Sequence, residues 1–399
     1  MEYLNDREPH SDSMRHEDLS VLVVANAYPE PSKDYFANQF VSDQVEFLAE
    51  KVRKVDVVCP IPLHPKKHIQ RDRKDGGVDV HFELYYTPYL LHVHKGDWLE
   101  HITTVYFKRI LRTIRKEKLH FDIIHAHFTF PSGSAAIRLG KEFDVPVVLT
   151  LHENHEWFLD LIRQQDPFYI DTWRSADLVL RVNDLDVELL KNFNPCSYYM
   201  PNGFNSHHYY LDGSVVREKN TIFAFGALIE RKGYQDLIRA VDVLRRKIPG
   251  IKCRIAGKDG GYRRELQQQI ESLGLKNNIN LLGAVSSDSA RKMMNECSVF
   301  CHPSISESFG VVQIEAMACG APVIATMNGA SERIVGQDCG LVVERHNLVL
   351  ALETALMDKQ WDNDLISKRV ANYDMKVVAD RLVGSYLELL NKSAAPLKP

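Results

Sequence analysis

The stretch SESFGVVQIEAMACGAPVIAT (Ser306 to Thr326) is apolar through its middle, with Val312, Ala316 and Cys319 at helical spacing, yet it keeps two carboxylates, Glu307 and Glu315. The preceding CSVFCHPS reads as a strand, SISESFG as a loop, VVQIEAMACG as a helix and APVIAT as the next strand. This order puts the amides of Phe309, Gly310, Val311 and Val312 at a helix N-terminus, where unsatisfied N–H groups and the helix dipole favour a phosphate. Glu315 then lies about one turn inside, where a carboxylate accepts both hydroxyls of a ribose. Glu307, on the loop, reaches toward a sugar hydroxyl on the far side of the same diphosphate. The plain alternative is a solvated loop acid and a helix acid facing water. Their placement around a phosphate-ready helix start weighs against it.

Outward from this stretch the chain alternates strand and helix. SVLVVANAY, KVDVVCP, FDIIHAHF, VPVVLTLHEN and ADLVLRVN read as buried strands, and FANQFVSDQVEFLAEKV and GSAAIRLGKEF as helices. After the turn-rich YMPNGFNS the alternation restarts with TIFAFGAL, IKCRIAG and INLLGAV, separated by YQDLIRAVDVLRRKIPG and YRRELQQQIESLG. Such alternation implies parallel sheets covered by helices on both faces. The expectation is two doubly wound α/β domains in tandem, with ligands beyond the C-terminal strand ends and in the cleft between domains. In the tail, Val377, Leu382, Tyr386 and Leu389 can line one helical face, and AAPLKP is expected to fray.

A chain of 399 residues exceeds one ordinary core, which agrees with two domains. A net charge of −4 argues against a general nucleic-acid binder. The seven cysteines form no CxxC, so a reducing cytoplasm is the simpler setting than a disulfide scaffold or zinc ribbon. The first 18 or so residues lack the apolar run of a signal peptide and read as a disordered tail.

Neither G-x-G-x-x-G nor the P-loop motif occurs. HENHE spaces His152 and His155 three apart rather than the four a zinc-protease helix needs, so no metal is assigned there. Asp184 to Asp186 (DLD) reads as a helix cap. In FGALIERKGYQDL, Arg231 and Lys232 stand in the loop after a strand, where cations can neutralise a diphosphate.

Glu307 to Glu315 with SFGVVQI between them, then AMACGAPVIAT, GASE and GLVV, resembles the donor-site signature of retaining glycosyltransferase family four. HAHFTFPSG, VPVVLTLHEN, MPNGFN and ALIERKGYQDLI follow in that family's order, and the resemblance runs from about Val21 to Leu390. It implies the GT-B fold, two facing Rossmann-like domains with an interdomain cleft. The expected division is a tail over 1–18, an acceptor-binding domain over 19–205, a nucleotide-sugar domain over 206–375, and a helix over 376–392 crossing back to the first domain. Asn202 and Gly203 would form the interdomain turn.

The resemblance also implies roles. Glu315 would bind the donor ribose, and Glu307 the transferred sugar. The amides of Phe309, Gly310 and Val311 would hold sugar and phosphate, with Gly226 beside the donor. Lys232, with Arg231 beside it, would neutralise the diphosphate, and His152 would reach across the cleft to the sugar. The reaction implied is front-face transfer to a hydroxyl of a glycan or lipid-linked acceptor, with retention, without metal or cofactor, the leaving diphosphate being stabilised by Lys232, Arg231 and the helix amides. The chain departs from the pattern at Ala227, where many members carry Arg, and Arg231 is the candidate to replace that charge. It departs again in YPEPSKDYFANQF, where Lys33, Asp34 and Tyr35 replace a Gly-Gly pair, and after His152, where Glu153, Asn154 and Glu156 stand in place of Asp. The basic segment 101–121, with Lys108, Arg109, Arg112, Arg115, Lys116 and Lys118, suits peripheral contact with the inner face of a membrane. A nucleotide-sugar epimerase and a non-catalytic nucleotide-sugar-binding protein are the alternatives on the same architecture.

Overall fold

Five consecutive apolar or small residues, Ser20–Val24, form strand β1, and all five are buried. Such a run suits the middle of a parallel sheet, covered on both faces. In the computed structural model, which describes residues 14–29, 39–62, 72–75, 77–86 and 95–394, β1 is indeed central. It pairs in parallel with β2 (Lys54–Pro62) and with the later strand Ile123–His127. The hairpin of β3 (Asp72–Asp75) and β4 (Val78–Tyr85) extends the sheet beyond β2, and β3 is its only antiparallel strand among the described residues. On the other side of β1 follow β5 (Ile123–His127), β6 (Val147–Leu151), β7 (Leu178–Arg181) and β8 (Ser197–Tyr199). The order is β3-β4-β2-β1-β5-β6-β7-β8.

Side chains on β1 alternate between two layers, as period-2 geometry requires. Leu22 and Val24 face a core shared with the helices Lys95–Glu117 and Ser134–Phe143, while Val21 and Val23 face one shared with Gln39–Ala49 and the terminal helix Met375–Ala394. The terminal helix thus belongs to the first core although its residues come last. It buries Val378, Leu382 and Tyr386 there, spaced by four residues; Val377, expected on that face, is 38% exposed, because it stands five residues before Leu382 and so off the buried stripe.

The second sheet is wholly parallel, in the order β11-β10-β9-β12-β13-β14, with β9 Thr221–Phe225, β10 Lys252–Ala256, β11 Ile279–Gly283, β12 Val299–His302, β13 Val323–Thr326 and β14 Gly340–Val343. Ile222 and Ala224 pack toward the helices Tyr234–Leu244 and Leu348–Met357, and Phe223 toward Val311–Ala318. The chain crosses between the sheets near 200–206 and returns near 370–375. There Phe204 N–H donates to Tyr373 O at 2.9 Å and Met375 N–H to Phe204 O at 3.0 Å. Gly203 is needed at this junction, since a Cβ would stand 2.9 Å from Met375 Cα.

The expected tail, loop and C-terminal segments lie partly or wholly outside the described residues: 1–13, Lys33, Asp34 and Tyr35, and 395–399. His16–Asp18 form a 3-10 turn, and His16 Nδ1 lies 3.0 Å from Lys51 O. The basic helix begins at Lys95, earlier than expected, and ends at Glu117. Leu99, Ile102, Tyr106, Ile110 and Ile114 bury its inner face, while Lys108, Arg112, Arg115 and Lys116 point outward. No helix among the described residues is long and apolar enough to cross a membrane.

Candidate functional site

The loop between β12 and the helix Val311–Ala318 emerges at the C-terminal edge of the second sheet. Gly310 precedes the helix with φ +82°, and a Cβ there would come within 2.3 Å of Gln313 Nε2, so the turn requires glycine. Among the described residues the amides of Phe309, Gly310 and Val311 donate no hydrogen bond, as expected of a helix start left for a ligand. The Phe309 ring is buried and meets Tyr373 edge-on at 5.7 Å, which anchors the turn.

Glu307 is the hub of the site. Its carboxylate accepts from Lys232 Nζ at 2.5 Å, and His302 Nε2 lies 3.2 Å from the same oxygen. Arg231 Nη1 is 3.7 Å from the other oxygen and donates to Ser306 O. Burial opposes ionisation of Glu307, but Lys232, His302 and Arg231 outweigh it and hold the carboxyl well below the usual range. Residues 75 positions apart meet because β9 and β12 are neighbours and the two loops are stitched by Ile305 N–H donating to Arg231 O at 2.8 Å. Gly233 permits that approach: a Cβ there would lie 1.8 Å from Pro303 O. Gly226 lies beside Lys232, its missing side chain replaced by Tyr234 Oη, which donates to Gly226 O at 3.1 Å.

Glu315 stands in contrast. It is 8% exposed, and its carboxylate makes no hydrogen bond or ion pair among the described residues. Burial, and secondly the charge of Asp43, raise its carboxyl to about 8. Asp43 belongs to the Gln39–Ala49 helix of the first domain, and its own carboxyl is raised to about 6, first by burial. A buried, unpaired acid is costly and is a recognised sign of a functional position.

His152 lies across the cleft, just past β6. Its ring is buried, with Nε2 3.0 Å from His127 Nδ1 and with Phe40 and Phe128 at 4.8 and 5.0 Å between centroids. Three residues later His155 N–H donates to Glu307 O at 3.4 Å, and Asn183 Nδ2 donates to Gly329 O at 2.6 Å, so the two domains meet at this point. Glu153, Asn154 and His155 of HENHE have separate partners. Glu153 accepts from Thr129 N–H at 2.8 Å, Asn154 caps the helix His155–Arg163 through Trp157 N–H, and His155 pairs with Asp186 at 2.7 Å.

DLD does not cap as expected. Asn183 caps the turn through Leu185 N–H, while Asp186 is fully buried and paired with Arg181. A buried guanidinium demands a carboxylate, and that demand outweighs helix capping. Arg181 Nη1 also donates to Leu151 O at 3.1 Å and Glu153 O at 2.7 Å, the carbonyls on either side of His152. Arg181, His127 and His302 are thus site residues that the sequence reading did not single out. HAH and CHPS offered a signal, histidines at strand ends; Arg181 offered only a cation inside an apolar strand.

Residues 213–369 match the family described as "Glycosyl transferases group 1", and residues 37–194 the family described as "Glycosyl transferase 4-like domain". An uncharacterized glycosyltransferase of Methanocaldococcus jannaschii is 32% identical over 231 residues, 57% of this chain and 62% of that protein, so the match spans less than two thirds of that relative. Sucrose-phosphate synthase from Thermosynechococcus elongatus superposes with a TM-score of 0.76 at 19% identity, over 94% of this chain and 100% of that one. Anabaena HepE in complex with UDP superposes with a TM-score of 0.69 at 18% identity, over 93% and 100%. The architecture is therefore GT-B.

Proposed function

Because the chain belongs to the group 1 glycosyltransferases, we propose that it moves a sugar, with retention, from a nucleoside-diphosphate sugar to a hydroxyl of a glycan or lipid-linked acceptor. The observation that carries this reading is the asymmetry of the 303–318 segment. Glu307 is gripped by cations, while the free amides at Gly310 and the unpaired Glu315 wait for polar partners. A nucleoside diphosphate supplies both: phosphate oxygens for the amides and Lys232, ribose hydroxyls for Glu315. The complex of HepE with UDP supports such a donor.

In this reading Lys232 and Arg231 shift part of their attraction from Glu307 to the diphosphate as the glycosidic bond breaks. They stabilise the charge that grows on the leaving group, and Glu307 is freed for a sugar hydroxyl. Ala227 leaves a cation missing from the strand end, and Arg231 stands in the same loop to supply it. The departing phosphate takes the acceptor proton on the face it leaves, which gives retention. Protein cations supply the charge, so the proposal needs no metal. Closure of the domains excludes water from the bond being broken. The outward basic face of the Lys95–Glu117 helix suits peripheral contact with an anionic membrane carrying the acceptor.

The test is incubation of the full chain with a panel of nucleotide sugars, alone and with sugar and lipid acceptors, following nucleotide release, product mass and anomeric configuration. Donor-dependent product with retained configuration supports the reading. Donor isomerised without acceptor indicates the epimerase, and nucleotide binding without turnover indicates the binding protein.

A further inference from the structure

His127 is not needed to build the donor site, yet it is buried at the end of β5 with its Nδ1 3.0 Å from His152 Nε2 and the two rings nearly parallel. The contact follows from the sheet, because β5 pairs with β6 so that His127 stands opposite Thr150, two residues before His152. The other nitrogen of each ring, His127 Nε2 and His152 Nδ1, is buried without a hydrogen-bond partner among the described residues. The neighbouring His125 cannot help: its Nε2 lies 2.7 Å from Thr150 Oγ1 and its Nδ1 2.6 Å from Tyr386 Oη. Burial holds both His127 and His152 below the usual histidine range, His127 at about 3, so both rings are neutral and share one bridging proton.

Two arrangements satisfy that bridge, and each leaves one buried N–H unpaired. If His152 donates, the orphan N–H is at His127 Nε2. If His127 donates, the orphan is at His152 Nδ1. Buried orphan N–H groups are rare and cost more than an idle lone pair, so the orphan belongs where a ligand can satisfy it. His152 is the more exposed residue of the two, at 6% against 1%, and lies on the loop that reaches Glu307.

We propose that His127 is a positioning residue that fixes His152 as the tautomer with its proton on Nδ1, so that His152 presents a single N–H to a hydroxyl oxygen of the donor sugar. The proposal rests on the transfer reading for its ligand. Its central claim, the tautomer, is readable without turnover. Arg181 fixes the backbone on both sides of His152 and His127 fixes the ring, so the group arrives pre-oriented.

The test uses the full chain labelled with 15N-histidine and two-bond proton–nitrogen correlation, which distinguishes the tautomers of a neutral ring. His152 is assigned as the signal lost in His152→Gln. The expected pattern is Nδ1–H at His152 in the wild-type protein; an Nε2–H pattern there overturns the proposal whatever the enzyme assay gives. His127→Asn keeps a donor near the Nδ1 position and His127→Phe keeps the ring without one. With any donor that turns over, His127→Phe should lower kcat about ten-fold or more, with the His152 tautomer mixed or reversed, and His127→Asn should restore most of both. If His127→Phe leaves tautomer and kcat unchanged, His127 only fills space. Failure of every donor to react, with Nδ1–H still observed, removes the transfer reading and leaves the tautomer lock standing.

Discussion

Replacing Glu315 by Gln should make the ligand-free protein more stable and its nucleotide binding weaker, opposite effects from one atom. The carboxyl titrates at 4.5 in the open chain and at about 8 in the fold, because it is buried near Asp43 without a partner. A carboxyl raised in this way favours the fold while protonated. That advantage is complete below 4.5, shrinks as pH rises, and is lost above about 8. At pH 7 the fold, still holding the protonated acid while the open chain has ionised, is therefore destabilised by about 3.5 kcal/mol relative to pH 4.5, taking about 1.4 kcal/mol per pH unit. Gln carries no charge and escapes the penalty, so Glu315→Gln should raise Tm by several degrees at pH 8, with the gain vanishing near pH 4.5. Ribose hydroxyls need the ionised acid as acceptor. UDP affinity of the wild-type chain should then fall about ten-fold for each pH unit below 8, and Glu315→Gln should be weaker and flat with pH. Calorimetric titration with UDP from pH 6 to 9 and thermal melts of both proteins measure these two trends. Equal Tm at pH 8 together with pH-independent UDP affinity of the wild type would refute the reasoning.

Lys232→Ala should cost about 3–5 kcal/mol by leaving Glu307 buried with weaker pairing, read by urea denaturation, and should lower transfer by about a hundred-fold or more. Because Glu307 is held below its ordinary value, its pairing stabilises the fold above about 4.5 and is lost as pH falls further; Glu307→Gln should therefore show less acid destabilisation than the wild type in melts taken between pH 3 and 6. Arg181→Met should destabilise by about 3–5 kcal/mol through the stranded Asp186, and adding Asp186→Leu should recover part of that loss in chemical denaturation, with His155 still limiting the recovery. Charge reversal at Lys108, Arg112 and Arg115 should abolish any sedimentation with anionic vesicles and leave the fold intact; unchanged sedimentation would remove the membrane role of that helix.

The alternation of apolar runs made the two parallel sheets legible, since a strand buried on both faces announces itself as Val21 to Val24 does. The β3–β4 hairpin escaped because VDVHFELY mixes acids into a period-2 pattern after the charged RDRKDGG, and β8 because a three-residue strand carries almost no pattern. Glu307, Glu315, Lys232 and the Gly310 turn could be read because each lies in a short local motif. The partners that tune them could not. His302 is five residues from Glu307 but on a strand, and His127 meets His152 only because two strands align. Arg181 lies in a strand pattern and Asp186, five residues on, in a helix-cap pattern, and nothing local shows that both are fully buried.

The two passages of chain between the domains, near Phe204 and near Tyr373 to Met375, are tied by a pair of backbone hydrogen bonds and by Gly203 seated on Met375. A single flexible tether would let the second domain tumble freely. Two parallel passages fastened to each other restrict that freedom, because both must bend together before Lys232 and Glu307 on one side can shift relative to His152 on the other.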